Sequence, residues 1–526
     1  VSPAAAADAA RRPTRRLTPF DLNFEVVDRQ RQLDLVADRF VQLRDRFTSG
    51  GSQYQHLSPT GARGTATFRD GRLEVSGTGG FSSLLRSSTH QVAPFASVVV
   101  DIQSFGGGAT QDAVLAGLVK DAGNYVAAFY DRATGTAGLE VAVDGAVQTL
   151  GTVEADLQAP FQLALGLTST TVVVLVDDGS GPRPLLRQSL GDVLDLRQPE
   201  ALADYRNGFG VRADSGTVVL DGVEAGYFGQ LGLRDPHLVT RANGTPYIKD
   251  GKAYLTFTQA GLAFFETAHW GVWTLDVRTF EMEQVANLFF QRDGEDTVLG
   301  DHAGHIVLDE RNDRWIIANS TWGDFSGEVV QINYVTVPLR KNPLRGVHVL
   351  RTERLELPLA ELPSAAVGQW DPHIVRIGGR WYVGFVNARA FFNFYPALAR
   401  SPRGADFTEL ELAGADPSKV ETEGPVLQRF GGRWYVMASN GDASPGAIRG
   451  RYPVYDLEMN ELGRLDAPHP TNIPWPMVFP VSSRGRTTWL LVTFNGNQYY
   501  EPVLGYGTHG DTIIMRAEET TRGAEF

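Results

Sequence analysis

From about residue 60 onward, apolar and polar side chains alternate at period two, and Gly, Asp, Asn and Pro interrupt them at short intervals. That alternation is the signature of half-buried strands, so the fold class is all-β. One stretch departs from it. In residues 28–47, Leu33, Leu35, Val36, Phe40 and Leu43 are interleaved with Arg and Asp, and the segment could be a helix or strand and loop. No N-cap followed by a clean apolar stripe decides between them. Residues 65–68, 97–102, 113–120, 125–130, 139–143, 161–167, 170–176 and 217–220 read as short strands. Turns such as Asp70-Gly71, Asp144-Gly145 and Asp178-Gly179 join them. With no helical segment between them, they predict two packed antiparallel sheets, a jelly-roll-like β-sandwich.

The second half repeats itself. A polar or acidic start leads into a short apolar strand, a tight turn and an aromatic-rich strand. The aromatic anchors Tyr254, Trp315, Trp381, Trp434 and Trp489 lie 61, 66, 53 and 55 residues apart. Such a period suits four-stranded blades with long loops, and five units fill the chain from residue 235 to its end. The expected architecture is therefore an N-terminal antiparallel β-sandwich followed by a five-bladed β-propeller. Residues 1–17 form a flexible leader, 18–59 a connecting segment with a helix as one option, 60–228 the sandwich and 229–526 the propeller.

The first strand of each propeller blade lines the central channel, so its first residues surround the axis at one face. Counting back from the anchors places Asp235, His305, Asp371, Glu423 and Phe479 at that rim. Three carboxylates that close cannot all stay ionised without a partner, so at least one should hold its proton to higher pH. A lone strand-end Asp or Glu more often caps a turn. Three at one register of a repeat, with Pro next or one residue later, weaken that plainer reading.

Arg234-Asp235-Pro236, Trp370-Asp371-Pro372 and Glu423-Gly424-Pro425, each followed by an aromatic hairpin, resemble the five-bladed propeller glycoside hydrolases of families 43, 32 and 68. The order and the intervals of 136 and 52 residues agree, and Glu-Gly-Pro is most similar to family 43. That family holds arabinofuranosidases, arabinanases, xylosidases and some galactofuranosidases. The resemblance implies Asp235 as base, Asp371 as pKa modulator and Glu423 as acid. It also implies hydrolysis of a furanosyl linkage with inversion, in an exo manner. Families 32 and 68 would instead use Asp235 as a nucleophile, in a retaining β-fructofuranosidase or fructosyltransferase. The absence of their Asn-Asp-Pro-Asn motif argues for inversion. A carbohydrate-binding propeller without catalysis is the third reading, against which the three retained carboxylates stand. Residues 116–130 resemble the central strands of concanavalin-like (laminin-G-like) sandwiches. Here the sandwich precedes the propeller, whereas accessory sandwiches in these families usually follow it.

Other side chains are expected at the rim. His237 and His373 each follow a blade Asp by two residues and share its strand face. Asp301, His302 and His305 could ligate a metal, although neutral imidazoles binding sugar hydroxyls are the plainer reading. Arg389, Trp322, Phe391, Phe392 and Tyr499 are expected to contact the sugar, the rings by stacking on C–H faces. His509, in Gly507-Thr508-His509-Gly510, resembles the blade-five motif that in some family 43 members helps hold a central cation. No cofactor is otherwise expected, with a structural calcium near His509 as the open option. Composition trims the remaining classes. A formal charge of −13 with no basic block after the first sixteen residues is a poor match to nucleic acid or an anionic membrane. Apolar runs are strand-sized, below the ~18–20 residues of a membrane span. The absence of cysteine removes disulfides and thiolate chemistry. The Ala-, Pro- and Arg-rich start suits the region after a removed export signal, so a secreted or cell-surface, bacterial-type exported protein is expected, its partner a carbohydrate substrate.

Overall fold

A computed structural model describes residues 16–107, 110–326, 329–483, 485–496 and 510–518. The chain is all-β, with a sandwich leading into a five-bladed propeller. The sandwich is organised around one long strand, Arg206–Gln230, which is paired along both of its edges. Its first half joins Asp112–Asp121 and the end of Arg72–Arg86, and its second half joins Phe95–Gly106. The two halves thereby belong to facing layers, which enclose Val100, Leu118, Leu139, Leu163, Val174, Phe209 and Leu220. At the Asp70-Gly71 and Asp144-Gly145 turns both residues take positive φ, which Asp tolerates and Gly adopts freely.

Each propeller blade is a four-stranded antiparallel unit. The inner strands are Leu233–Leu238, His302–Asp309, Gly368–Ile377, Thr422–Phe430 and Met477–Ser483. In blade five the fourth strand comes from the other end of the chain. Glu25–Gln30 pairs antiparallel with Thr512–Glu518, so the N-terminal segment closes the ring. Blades one and two are also joined at their outer edges, where Met282–Arg292 runs parallel to Gly346–Arg354.

The connecting segment contains no α-helix. Glu25–Gln30 belongs to the propeller, and Asp34–Asp45 pairs with residues 223–230 of the long sandwich strand. Two register shifts interrupt that pairing. A bulge inserts an unpaired residue and breaks strict alternation, which is why no period of two is visible there. The segment thus stitches both domains, and they share a core. Phe95, Ala164, Val173 and Leu175 of the sandwich pack with Leu262 and Phe289 of blade one. Phe95 and Phe289 stack with ring centroids 5.1 Å apart.

Leu22 and Phe24 lead into the closing strand and lie in the core between blades four, five and one. The Phe24 N–H donates to the Asp466 carbonyl at 2.9 Å, which ties the strap to the end of blade four. Truncating a buried phenylalanine costs about 3–5 kcal/mol. Phe24→Ala should therefore lower the unfolding free energy of the propeller by that much, with the denaturant midpoint falling accordingly. Phe20→Ala, on an exposed ring of the same strap, should change it little. Equal effects in urea titrations would mean that the strap does not hold the ring closed.

Candidate active site

The inner strands of blades one to four each carry a β-bulge at their start. Pairing with the second strand shifts between Arg234 and His237, His302 and His305, Trp370 and His373, and Glu423 and Val426. In each blade two residues oppose one, and the first of the two has positive φ: Asp235 at 53°, Ala303 at 53°, Asp371 at 59° and Gly424 at 65°. A bulge re-aims the side chain it carries and sharpens the local twist. Asp is among the few non-glycine residues that enter this region readily, at a cost of order 1 kcal/mol or more.

The bulges correct the counted register. Arg234, His302, Trp370 and Glu423 are equivalent, one position before the left-handed residue. His237, His305, His373 and Val426 are equivalent, two positions after it. His305 therefore does not occupy the place of Asp235 and Asp371, and Glu423 arrives from the preceding position. Phe479 sits in a strand without a bulge and is buried in the core.

Even so, Asp235, Asp371 and Glu423 meet. Arg234 donates from Nε to Asp235 Oδ1 at 2.7 Å and from Nη2 to Glu423 Oε1 at 2.9 Å. A planar guanidinium that binds both places the two oxygens within about 8 Å of each other. Asp371 Oδ2 accepts the Gly424 N–H at 3.1 Å, beside Glu423, and its own N–H donates to Ser320 Oγ at 3.0 Å. Trp370 Nε1 donates to Glu423 Oε2 at 3.3 Å. The Arg234 cation lies 5.0 Å above the Phe494 ring.

All three carboxyl groups are buried, and burial is the main force raising their pKa values. Glu423 is pushed up to about 7, with Asp235 adding to the rise while Arg234 and the Trp370 hydrogen bond oppose it. Asp371 is raised well above the usual carboxylate range by burial and then by Glu423 and Asp235. Asp235 is raised by burial against Arg234 and a hydrogen bond from Thr258. Among the described residues Arg234 is the cation in contact with this cluster, and burial raises all three acids, so the cluster retains protons near neutrality.

Below this layer, His237, His305 and His373 form a buried group with ring centroids 4.4–4.9 Å apart. Each offers a nitrogen within 4.8 Å of the others, close enough to raise the question of a metal. The hydrogen bonds commit one of the three rings. His305 Nδ1 accepts the Ile374 N–H at 3.0 Å, so its hydrogen is on Nε2, toward Thr240 Oγ1 at 3.1 Å. That ring keeps no free lone pair, and His237 Nε2 and His373 Nδ1 share a hydrogen bond of 2.7 Å. Burial lowers all three pKa values, that of His373 to about 3. The three rings form a neutral layer under the carboxylates, in which His237 Nδ1 and His373 Nε2 have no hydrogen-bond partner among the described residues.

The remaining expected residues are dispersed. Asp301 is not grouped with His305: its carboxylate is clamped by Arg292, at 3.0 and 2.7 Å, and accepts the Gly323 N–H. His302 bridges Thr258 Oγ1 and the Phe265 carbonyl, each at 3.2 Å, and lies parallel to Trp322. Arg389 directs its donors to Ser364, Asn393 and the carbonyls of Pro417 and Lys419. Trp322 and Phe391 belong to an aromatic wall beside Trp370, and Phe392 packs on Phe391. Tyr499 and His509, with the calcium expected near the latter, lie outside the described residues. Arg234 and Trp370 were visible in the motifs as the residues before each Asp-Pro, but only the bulge register shows that they are counterparts of Glu423.

No family model matches the chain, and no curated protein matches it by sequence. Among solved structures, a Bacillus subtilis carbohydrate-binding module of family 66 is 15% identical, with a TM-score of 0.25, over 33% of this chain and 97% of its own. A family 32 β-fructofuranosidase of Bombyx mori is 16% identical, with a TM-score of 0.36, over 55% of this chain and 61% of its own. A thermostable family 43 glycoside hydrolase is 14% identical, with a TM-score of 0.34, over 56% of this chain and 95% of its own.

The shifted acid has a thermodynamic signature. Folded Glu423 holds its proton to about pH 7, whereas the unfolded chain releases it near 4.5. The folded state binds more protons in that window, so this group's stabilising contribution is lost as pH rises from 4.5 through 7. Buried histidines such as His302 and His373 act in the opposite sense, destabilising as pH falls from 6.5 toward 3. Comparing Glu423→Gln with wild type isolates the first effect. The variant should gain melting temperature relative to wild type between pH 4.5 and 7.5, and a constant difference across that range would contradict the raised pKa.

Proposed function

We propose that the protein is an exported glycoside hydrolase that cleaves a furanosyl linkage, of arabinofuranosyl or galactofuranosyl type, with inversion and in an exo manner. The observation that carries the reading is the cluster of Asp235, Asp371 and Glu423 around one guanidinium, with Glu423 raised to about 7. Glycosidic cleavage needs one carboxyl that still holds a proton near neutrality and another that is charged. Glu423 suits the acid, since it donates to a leaving oxygen when protonated. Asp235, paired with Arg234, suits the base that takes a proton from water. Asp371, held beside the acid by the Gly424 N–H and Ser320, suits the orienting modulator, and the charge of Asp235 adds to the acid's proton affinity. Neutral His237, whose Nδ1 has no hydrogen-bond partner among the described residues, can exchange a hydrogen bond with a hydroxyl group without adding charge.

Inversion is supported by Arg234-Asp235-Pro236 standing where the retaining families carry Asn-Asp-Pro-Asn. The bulky rings of the loops above blades one to three favour a closed end, and thus exo action. A sugar-binding propeller would gain nothing from three carboxylates held against burial and repulsion.

A panel of nitrophenyl arabinofuranosides, galactofuranosides, xylosides and fructosides should reveal one preferred glycone. Asp235→Asn should then lower kcat by about 10²–10⁴ on any substrate. Glu423→Gln should do so on alkyl glycosides but much less on nitrophenyl glycosides, whose leaving group needs no proton. Proton NMR of the first-formed sugar should show the inverted anomer. A trapped glycosyl-enzyme would establish Asp235 as a nucleophile, and no turnover of any glycoside would leave the lectin reading. Arg234→Gln should move the acidic limb of the kcat/KM profile upward in pH, because Asp235 loses its cation. A profile unmoved in pH would exclude Arg234 from setting the charge of the base.

A further inference from the structure

Resting on the glycosidase reading, we infer that the leaving group is apolar: an aryl or alkyl aglycone about one ring in size, seated between the loops of blades two and three. A cavity of about 130 Å³ lies there, walled by Trp322, Phe325, Val330, Val367, Trp370 and Phe391. Among the described residues, no side chain on it carries a charge or a hydroxyl; the polar side-chain atoms there are two indole nitrogens, and that of Trp370 donates to Glu423. A sugar ring presents hydroxyls around its rim, and each one buried without a partner is unfavourable. The sugar therefore does not enter. An apolar group does, and a dry cavity of about 150 Å³ holds a benzene ring.

Position joins this cavity to the chemistry. Trp370 forms its wall and also donates to the acid, so the cavity lies one indole from Glu423. The wall continues across blades. Phe265 lies 5.0 Å from Trp322 and 6.3 Å from Phe391, and Phe325 stacks on Phe391 at 5.5 Å. Phe264, Val329, Val367, Phe391 and Phe392 are 44–57% exposed, five of the eleven exposed large hydrophobic side chains among the described residues. Concentrating them at one rim marks a recognition surface, since scattered exposure would need no explanation.

Methyl, hexyl and benzyl glycosides of the furanose selected by the nitrophenyl panel have leaving groups of similar basicity and differ in apolar size. The expected result is a kcat/KM at least about tenfold higher for hexyl or benzyl than for methyl. Val367→Asn and Val329→Asn should each reduce that ratio several-fold. The hexyl and benzyl arms separate lipid-like from aryl aglycones. A second arm titrates benzyl alcohol against tryptophan emission, since Trp322 and Trp370 line the cavity. Hydrolysis at equal efficiency on all three glycosides would overturn the inference and leave the hydrolase reading standing. No hydrolysis, with saturable benzyl alcohol binding weakened in Val367→Asn, would remove the hydrolase reading and keep the apolar site. Absence of saturable binding, together with concentration-dependent dimerisation abolished by Val367→Asn, would give the face to a second copy and overturn the inference.

Discussion

The site depends on one backbone constraint, a β-bulge at the start of four inner strands that places one residue of each in the left-handed region. In a regular strand, consecutive side chains point to opposite faces, so Arg234, Asp235 and His237 could not all contribute to one end of the channel. The bulge inserts a residue without disturbing the pairing below it. Asp235 is turned toward the acids, while His237 falls into the layer beneath. The strain of positive φ is borne by Asp at two blades and relieved by Gly424 at the third acidic one. Gly424 also permits close approach, because a Cβ there would lie 2.8 Å from the Trp475 ring.

That geometry explains which parts of the molecule were legible in the sequence. The strands of the sandwich and the anchors of the blades announce themselves because each has one wet and one dry face, or is bounded by a turn such as Asp144-Gly145. The convergence of Asp235, Asp371 and Glu423 was legible because the fold brings strand starts to a common rim. The exact register was not. Counting back from an aromatic assumes that each residue advances the strand equally, and a bulge violates that assumption by one. Asp371-Pro372-His373 and Glu423-Gly424-Pro425 align their prolines only when Gly424 is matched to Asp371. The prolines carried the true register, and the carboxylates misled.

Other features lay beyond any local pattern. Residues 28–47 lost their alternation to register shifts. The pairing of Glu25–Gln30 with Thr512–Glu518 joins positions separated by almost the whole chain, and no turn signal marks it. Asp301 and His302 are adjacent in sequence yet face different partners, Arg292 and Thr258. Adjacent strand residues diverge by construction, so a metal triad of 301, 302 and 305 conflicted with the pleat from the outset.

The arrangement of charge gives the strongest reason to regard the propeller as an enzyme. Burying a carboxylate is unfavourable, and burying three beside one arginine forces the fold to retain protons that water would remove. A binding module would avoid this, because uncharged amides and hydroxyls bind sugars without the penalty. The neutral imidazole layer below supplies no compensating cation, since His305 is committed to Ile374 and Thr240. Among the described residues, Arg234 therefore stands as the one cation in contact with the acids. It divides its fork between Asp235 and Glu423, while Asp371 accepts the Gly424 N–H. A site that tolerates this imbalance, on backbone strained at the same residues, suits the proposed transfer of a proton from one carboxyl group while another stays charged. An apolar wall beside the acid adds to its proton affinity, because removing water from Glu423 disfavours its charged form.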